Sequence, residues 1–172
     1  MMNIYDAIAR RRSVRKFKPD PVPDDVINKL LEAARWAPSG GNIQPWFFYV
    51  VKDQTKRQQL AQDALGQRFV AEAPLCIVVC AEPNQSAGRY RERGAELYCL
   101  QDTAAAVQNI MLAALEEGLG SCWVGAFDEE KVRQTLGMPP NRRPVAIIPL
   151  GYPAKTPQPT GRKELAEITK WV

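Results

Sequence analysis

Apolar residues recur at two periods along this chain, and the switching between those periods lays out its elements. Residues 3–12 place Ile4, Ala7 and Ile8 at helical spacing and predict a short helix; residues 13–19 then read as extended. Pro21-Val22-Pro23-Asp24-Asp25 starts a second helix, with proline and acids in its first turn. A stripe of Val26, Ile27, Leu30, Leu31 and Ala34 carries that helix to about Trp36. Turn-formers fill 38–45, and the aromatic and β-branched run 46–51 reads as a strand. A helix over 55–65 and a short helical piece over 68–72 follow, ended by Pro74.

The apolar run 75–81 reads as a buried strand, and the polar stretch 83–93 as an irregular loop, the best candidate for a mobile segment. The longest helix spans 95–117. Its Leu97, Leu100, Val107, Ile110 and Leu115 cover more than one face, which predicts burial in a core or a subunit interface. Gly118-Leu119-Gly120 caps it, and 121–125 reads as a strand. Asp128 then caps a helix that runs to Leu136 and is closed by Gly137, before a buried strand over 145–150. The tail 151–172 ends in Leu165, Ile168, Trp171 and Val172, too apolar to hang free. It is expected to lie against another surface, such as a partner subunit. The order of elements lacks regular βαβ alternation. It predicts one α+β domain over 1–172, a sandwich whose mostly antiparallel central sheet carries helices on both faces.

Composition narrows the chemistry. The length of 172 residues suits one domain with a real core. No apolar run approaches the ~20 residues of a membrane span, and the chain opens on a polar amphipathic helix, so a soluble cytoplasmic protein without membrane contact is expected. The net charge of +4 does not compel a nucleic-acid partner, because the cations are scattered outside Arg10–Lys18. Cys76, Cys80, Cys99 and Cys122 form no C-x-x-C pair and read as free buried thiols. The chain has no histidine, which removes Ser-His-Asp and Cys-His catalysis and histidine metal sites together. An enzyme so equipped borrows its chemistry from a cofactor.

Two segments carry that chemistry. Arg11-Arg12-Ser13-Val14-Arg15 packs guanidiniums and a hydroxyl into one short stretch, suited to a phosphate or an electron-rich heterocycle. Pro38-Ser39-Gly40-Gly41-Asn42-Ile43-Gln44-Pro45-Trp46 offers amides and backbone hydrogen-bonding groups to a planar, polar-edged ring. A phosphate with a heterocycle suggests a mononucleotide-like cofactor. Gly118-Leu119-Gly120 ends a helix instead of opening one, which argues against a dinucleotide fingerprint. Trp46 reads as core; Trp123 and Phe127 are either core or pocket lining; Tyr90 and Phe69 are lid candidates. Asp102 reads as an internal hydrogen-bond partner instead of an acid catalyst.

These motifs, together with the Ala-rich central helix, Gly118-Leu119-Gly120-Ser121-Cys122-Trp123-Val124-Gly125-Ala126-Phe127-Asp128 and Pro149-Leu150-Gly151-Tyr152-Pro153, occur in an order that resembles the short form of the FMN-dependent nitroreductase family. The resemblance implies a homodimer with FMN at each of two subunit interfaces. It implies that Arg11, Arg12 and Ser13 lie by the phosphate or ribityl chain and that Arg15 contacts the pyrimidine edge of the flavin. Pro38, Ser39, Gly40 and Asn42 would reach the ring from the other subunit, and Gln44 would also bind the cofactor. The backbone of Gly125 and Ala126 would approach the hydride-accepting nitrogen, with Arg15 forming the catalytic set. Arg162, and less directly Lys163, would close on the phosphate from the tail. Larger relatives carry an acidic residue where this chain has Gly125, so a main-chain contact survives there and a side-chain role does not. The activity implied is ping-pong transfer of hydride from NAD(P)H through FMN to a nitroaromatic, quinone or similar acceptor. A related flavin reaction, such as dehalogenation or enone reduction, and a flavin-binding protein of low turnover are the alternatives.

Overall fold

A computed structural model describes residues 2–172, and a four-stranded antiparallel sheet lies at its centre. The strands are β1 (Trp46–Val51), β2 (Leu75–Ala81), β3 (Gly120–Ser121) and β4 (Arg143–Gly151), in spatial order β1-β2-β4-β3. β1 pairs with β2 from Trp46 opposite Ala81 to Val51 opposite Cys76. β2 pairs with β4 from Leu75 opposite Leu150, with a bulge between Val79 and Cys80.

Both faces of the sheet are covered, because β2 is apolar at every position and buried throughout. One face packs Ile77, Val79 and Ile148 against α2 (Asp24–Arg35) and α6 (Cys99–Glu116), where Leu30, Val107 and Ile110 are fully buried. The other face packs Val78 and Ile147 against α3 (Gln54–Asp63), α4 (Phe69–Glu72) and α7 (Glu129–Leu136) through Leu60, Val70 and Val132. Each such aliphatic side chain contributes about 1.5–3 kcal/mol through its removal from water. The expected sandwich is therefore present. Among the described residues no helix is long and apolar enough to cross a membrane.

The N-terminal helix α1 (Ile4–Arg10) is capped by Asn3, whose side chain accepts from the Asp6 N–H. The extended stretch after it joins the sheet region at two points. Ser13 bridges Ser121 in parallel, and Phe17 bridges Pro153.

Three elements depart from the sequence reading. Residues 83–93 are helical, not irregular. α5 (Pro83–Arg93) starts with proline in its first turn and buries little beyond Ser86, so it carries no apolar stripe for a period-based reading to find. The helix read over 95–117 begins instead as a π-turn, Gly94–Tyr98, which feeds into α6. The strand expected over 121–125 stops at Ser121. Cys122 donates its N–H to Pro149, but proline has no N–H to return, so the ladder breaks there and resumes only as a bridge between Val124 and Ile147. The last helix, α8 (Leu165–Ile168), lies in a tail that is exposed from Gln158 onward; Trp171 is 94% accessible.

Candidate active site

The first extended segment turns three guanidiniums towards one hollow, and the tail adds a fourth. Arg11, Arg12, Ser13 and Arg15 line a cavity of about 210 Å³ with Pro157, Gln158, Thr160 and Arg162, and no carboxylate lines it. Backbone pairing with Ser121 and glycine packing place the residues of the first segment. Val14 is buried and donates its N–H to Ser121 O at 2.9 Å, so its neighbours Ser13 and Arg15 face the other way. That fit depends on Gly120: a Cβ there would meet the Val14 side chain at 2.8 Å.

The cations around the hollow are held differently. Arg12 folds back on α1, donating from Nη1 to Ala9 O at 2.6 Å and Arg11 O at 2.9 Å, and so caps the helix carbonyls. The guanidinium of Arg15 sits 5.7 Å from the centroid of the Phe69 ring. Arg162 is kept by its own strand of tail, donating to Thr160 Oγ1 at 3.0 Å and Gly161 O at 2.9 Å. Lys163 is exposed and is not among the residues lining the cavity.

The Cys122 thiol lies beside this cluster. Burial pushes it up from the ordinary thiol range, while Arg15, the Ser13 hydroxyl and Arg11 pull the other way. Burial pushes Cys76 and Cys80 up to about 12. The thiols are therefore protonated at neutral pH and are not nucleophiles.

The second segment folds into a tight loop with a 3-10 turn at Gly40–Asn42. Gly41, Asn42 and Gln44 have φ of 58°, 58° and 57°, a region that glycine adopts freely and asparagine more readily than most, so the strain falls chiefly on Gln44. The loop is held in spite of this. Ser39 O accepts from the Asn42 N–H at 2.9 Å, and Ser39 Oγ accepts from the Gln44 N–H at 3.0 Å. Asp102 Oδ1 on α6 accepts from the Gly40 N–H at 3.1 Å. Burial raises the Asp102 carboxyl above its ordinary range, and the Gly40 N–H opposes that rise. Strain retained by a well-bonded loop is a mark of functional sites. Pro38 opens this loop, and Gln44 at its end lines a separate hollow beside Trp46 and Phe48.

Gly125 lines a third hollow of about 290 Å³ with Leu100, Trp123 and Phe127, closed on one side by Arg143. Arg143 donates to both Glu129 oxygens at 3.0 and 2.9 Å. A Cβ on Gly125 would meet only Trp123 Nε1 at 4.0 Å, so the backbone there is open. Ala126 O accepts from Gln67 Nε2 at 3.0 Å.

Within one chain, then, Arg11, Arg12, Ser13, Arg15 and Arg162 come together, while Gln44 at the end of the 38–44 loop and Gly125 line other hollows. Sequence reasoning missed Gln158, Thr160, Glu129 and Arg143. Tail residues carry no local motif, and the Arg143–Glu129 pair is a contact between two elements with no spacing signal.

The α+β sandwich is shared with a known class of proteins. The Nitroreductase family matches residues 8–69 and 62–152, and the chain belongs to that family. The NADH dehydrogenase of Thermus thermophilus is 33% identical over 198 residues, covering 99% of this chain and 97% of the relative. An iodotyrosine deiodinase of Hydra vulgaris is 29% identical over 204 residues, covering 96% of this chain and 71% of the relative. Among solved structures, an FMN-dependent nitroreductase of Clostridium difficile superposes with a TM-score of 0.80 at 29% identity, over 92% of each chain. The chain is an oxidoreductase of the nitroreductase family.

Proposed function

We propose that this protein is a homodimeric, FMN-dependent oxidoreductase that moves hydride from NAD(P)H to a nitroaromatic, quinone or similar electron-poor acceptor. The observation that carries this reading is the cavity lined by Arg11, Arg12, Arg15 and Arg162 without a carboxylate. That donor set fits a phosphate and its adjoining polyol, since guanidiniums bind phosphate through paired N–H donors. The solved relative described as FMN-dependent supports the choice of flavin. When bound, FMN supplies the hydride acceptor and donor that this histidine-free chain lacks.

The residues divide the remaining work. Arg11, Ser13 and Arg162 hold the phosphate end, with Arg12 stiffening the turn from α1, and Lys163 adding charge from the tail. Arg15 places a fixed cation where the electron-rich edge of the ring would lie, and such a charge favours a transition state in which negative charge develops. Pro38, Ser39, Gly40, Asn42 and Gln44 flank the ring from the second subunit; in their own chain none of them lines the arginine hollow, and Gln44 lines a different one. Gly125 and Ala126 bring open backbone to the ring. The exposed apolar residues Ile4, Tyr5 and Ile8 of α1 and Leu165, Ile168 and Trp171 of the tail supply the dimer surface. One face serves both half-reactions, which gives ping-pong kinetics. The buried, unpaired thiols suit the cytoplasm.

The test is anaerobic mixing of the yellow protein with NADH or NADPH. Bleaching within seconds, reversed by a nitroaromatic or a quinone, is the expected result. A flavin that stays oxidised would leave a binding protein of low turnover. The deiodinase relative supports a second reading, reductive dehalogenation at the same site. An acceptor panel containing a halophenol separates it from nitro reduction.

A further inference from the structure

Above the 38–44 loop lies a second group of cations, and the roles assigned so far leave it without a function. Arg89, Arg91 and Arg93 project from the end of α5 and are exposed. Their sequence neighbours include Glu92 and Glu96, both exposed, yet among the described residues no ion pair joins any of these arginines to a carboxylate. Two tyrosines form the floor. The Tyr90 and Tyr98 rings meet edge to face with centroids 5.1 Å apart. Arg89 sits 5.5 Å from the Tyr90 centroid and Arg93 sits 5.4 Å from that of Tyr98.

This patch is built, not frayed. Gly94 has no Cβ, and one would collide with the backbone of Ser86, so α5 and the π-turn lock together. Arg91, at the join, has φ 52° and ψ −142°, a conformation that a residue with a side chain keeps only where its surroundings impose it. π-turns cluster at functional sites for similar reasons.

The patch also touches the candidate site. Arg89 Nη1 donates to Gly41 O at 3.4 Å, and a Cβ on Gly41 would meet Arg89 Nη1 and the Tyr90 hydroxyl at 2.6 Å. A Cβ on Gly40 would touch the Tyr90 and Tyr98 rings at 3.5 and 3.6 Å. The loop's glycines thus let it pass directly beneath the tyrosines.

We propose that Arg89, Arg91 and Arg93 bind the pyrophosphate of the reduced nicotinamide dinucleotide, so that the donor is read by its phosphates at this patch while its nicotinamide enters over the ring. This rests on the flavin reading given above. The reaction proposed there requires a donor with at least two phosphate charges, and one short exposed segment carries three unneutralised arginines, of which Arg89 touches the loop assigned to the ring. Phosphate matches guanidinium better than a single carboxylate does, because it accepts several N–H donors at once.

The test uses the purified holoenzyme and the double variant Arg91→Gln/Arg93→Gln, with Arg91→Lys/Arg93→Lys retaining charge. ADP-ribose, which carries the pyrophosphate but no nicotinamide, is titrated by calorimetry at two salt concentrations. Stopped-flow reduction is then compared between NADH and dihydronicotinamide riboside, which has no phosphate. The expected result is saturable ADP-ribose binding that weakens with salt and falls roughly tenfold or more in the Gln variant. The lysine variant is expected to recover part of it. The preference for NADH over the riboside, as a ratio of kcat/KM, is expected to fall by a similar factor. Equal ADP-ribose binding by wild type and Gln variant, or an unchanged ratio, would overturn the proposal. A preparation without FMN would contradict the flavin reading alone, since the ADP-ribose titration reads the patch irrespective of flavin content.

Discussion

The Gly40 N–H donates to Asp102 Oδ1 across a 62-residue separation, tying the strained polar loop to the longest helix of the fold. Asp102 Oδ2 is buried without a hydrogen-bond partner among the described residues, and burial raises the carboxyl. The native state therefore holds this proton more tightly than the unfolded chain does. Asp102 contributes most to stability below its unfolded value of 3.8, and that contribution is lost as pH rises through the raised folded value.

Replacing Asp102 separates its two properties. Asp102→Ala leaves the Gly40 N–H unpaired and is expected to cost about 1–3 kcal/mol in urea denaturation at pH 7. Asp102→Asn keeps an acceptor and removes the titration. Its stability relative to wild type is expected to improve between pH 4 and 7, and a parallel pH dependence of the two proteins would contradict this account.

Arg15 and Arg11 are predicted to fail differently. A charge-assisted contact is worth about 1.5–3 kcal/mol. If Arg15 favours the reduced ring by that amount, Arg15→Ala slows reduction by NADH roughly ten- to a hundred-fold and lowers the midpoint potential. Arg11→Ala weakens FMN retention and leaves the loaded fraction reducing at nearly the wild-type rate. Stopped-flow reduction and redox titration read both; an unchanged potential and rate in Arg15→Ala removes that residue's assigned role.

Gly120 is the packing partner that sets Ser13 and Arg15. Gly120→Ala forces a Cβ into the Val14 side chain and is expected to destabilise the fold by about 1–3 kcal/mol. FMN retention should fall with it, because the displaced segment carries Ser13 and Arg15, proposed above to bind the flavin. Denaturation together with flavin content after gel filtration measures both effects.

The sandwich was largely legible because its buried strands and amphipathic helices carry strong periods. Trp46, read as core, is 9% accessible, and Asp102, read as an internal acceptor, is one. The misses have local physical causes. α5 is a helix that buries almost nothing, so no stripe marks it. β3 ends early because Pro149 cannot complete the ladder, a property of the neighbouring strand and not of 121–125. The arginine cluster was readable because its members are adjacent in sequence. Arg162 was readable only through the family resemblance, and the Arg143–Glu129 pair not at all, since nothing local links them.

The exposed tail gives a further prediction. Deleting 161–172 removes Arg162 together with Leu165, Ile168 and Trp171. The truncated protein is expected to lose FMN affinity and to shift towards monomer in analytical ultracentrifugation. A truncated dimer with undiminished FMN content would show that the tail has neither role.

The most direct test of the central claim is the visible spectrum of the purified protein, with mass analysis of what heating releases. A yellow protein that gives up FMN, about one per chain of a dimer, is the predicted result. A colourless protein that cannot be loaded with FMN would contradict it.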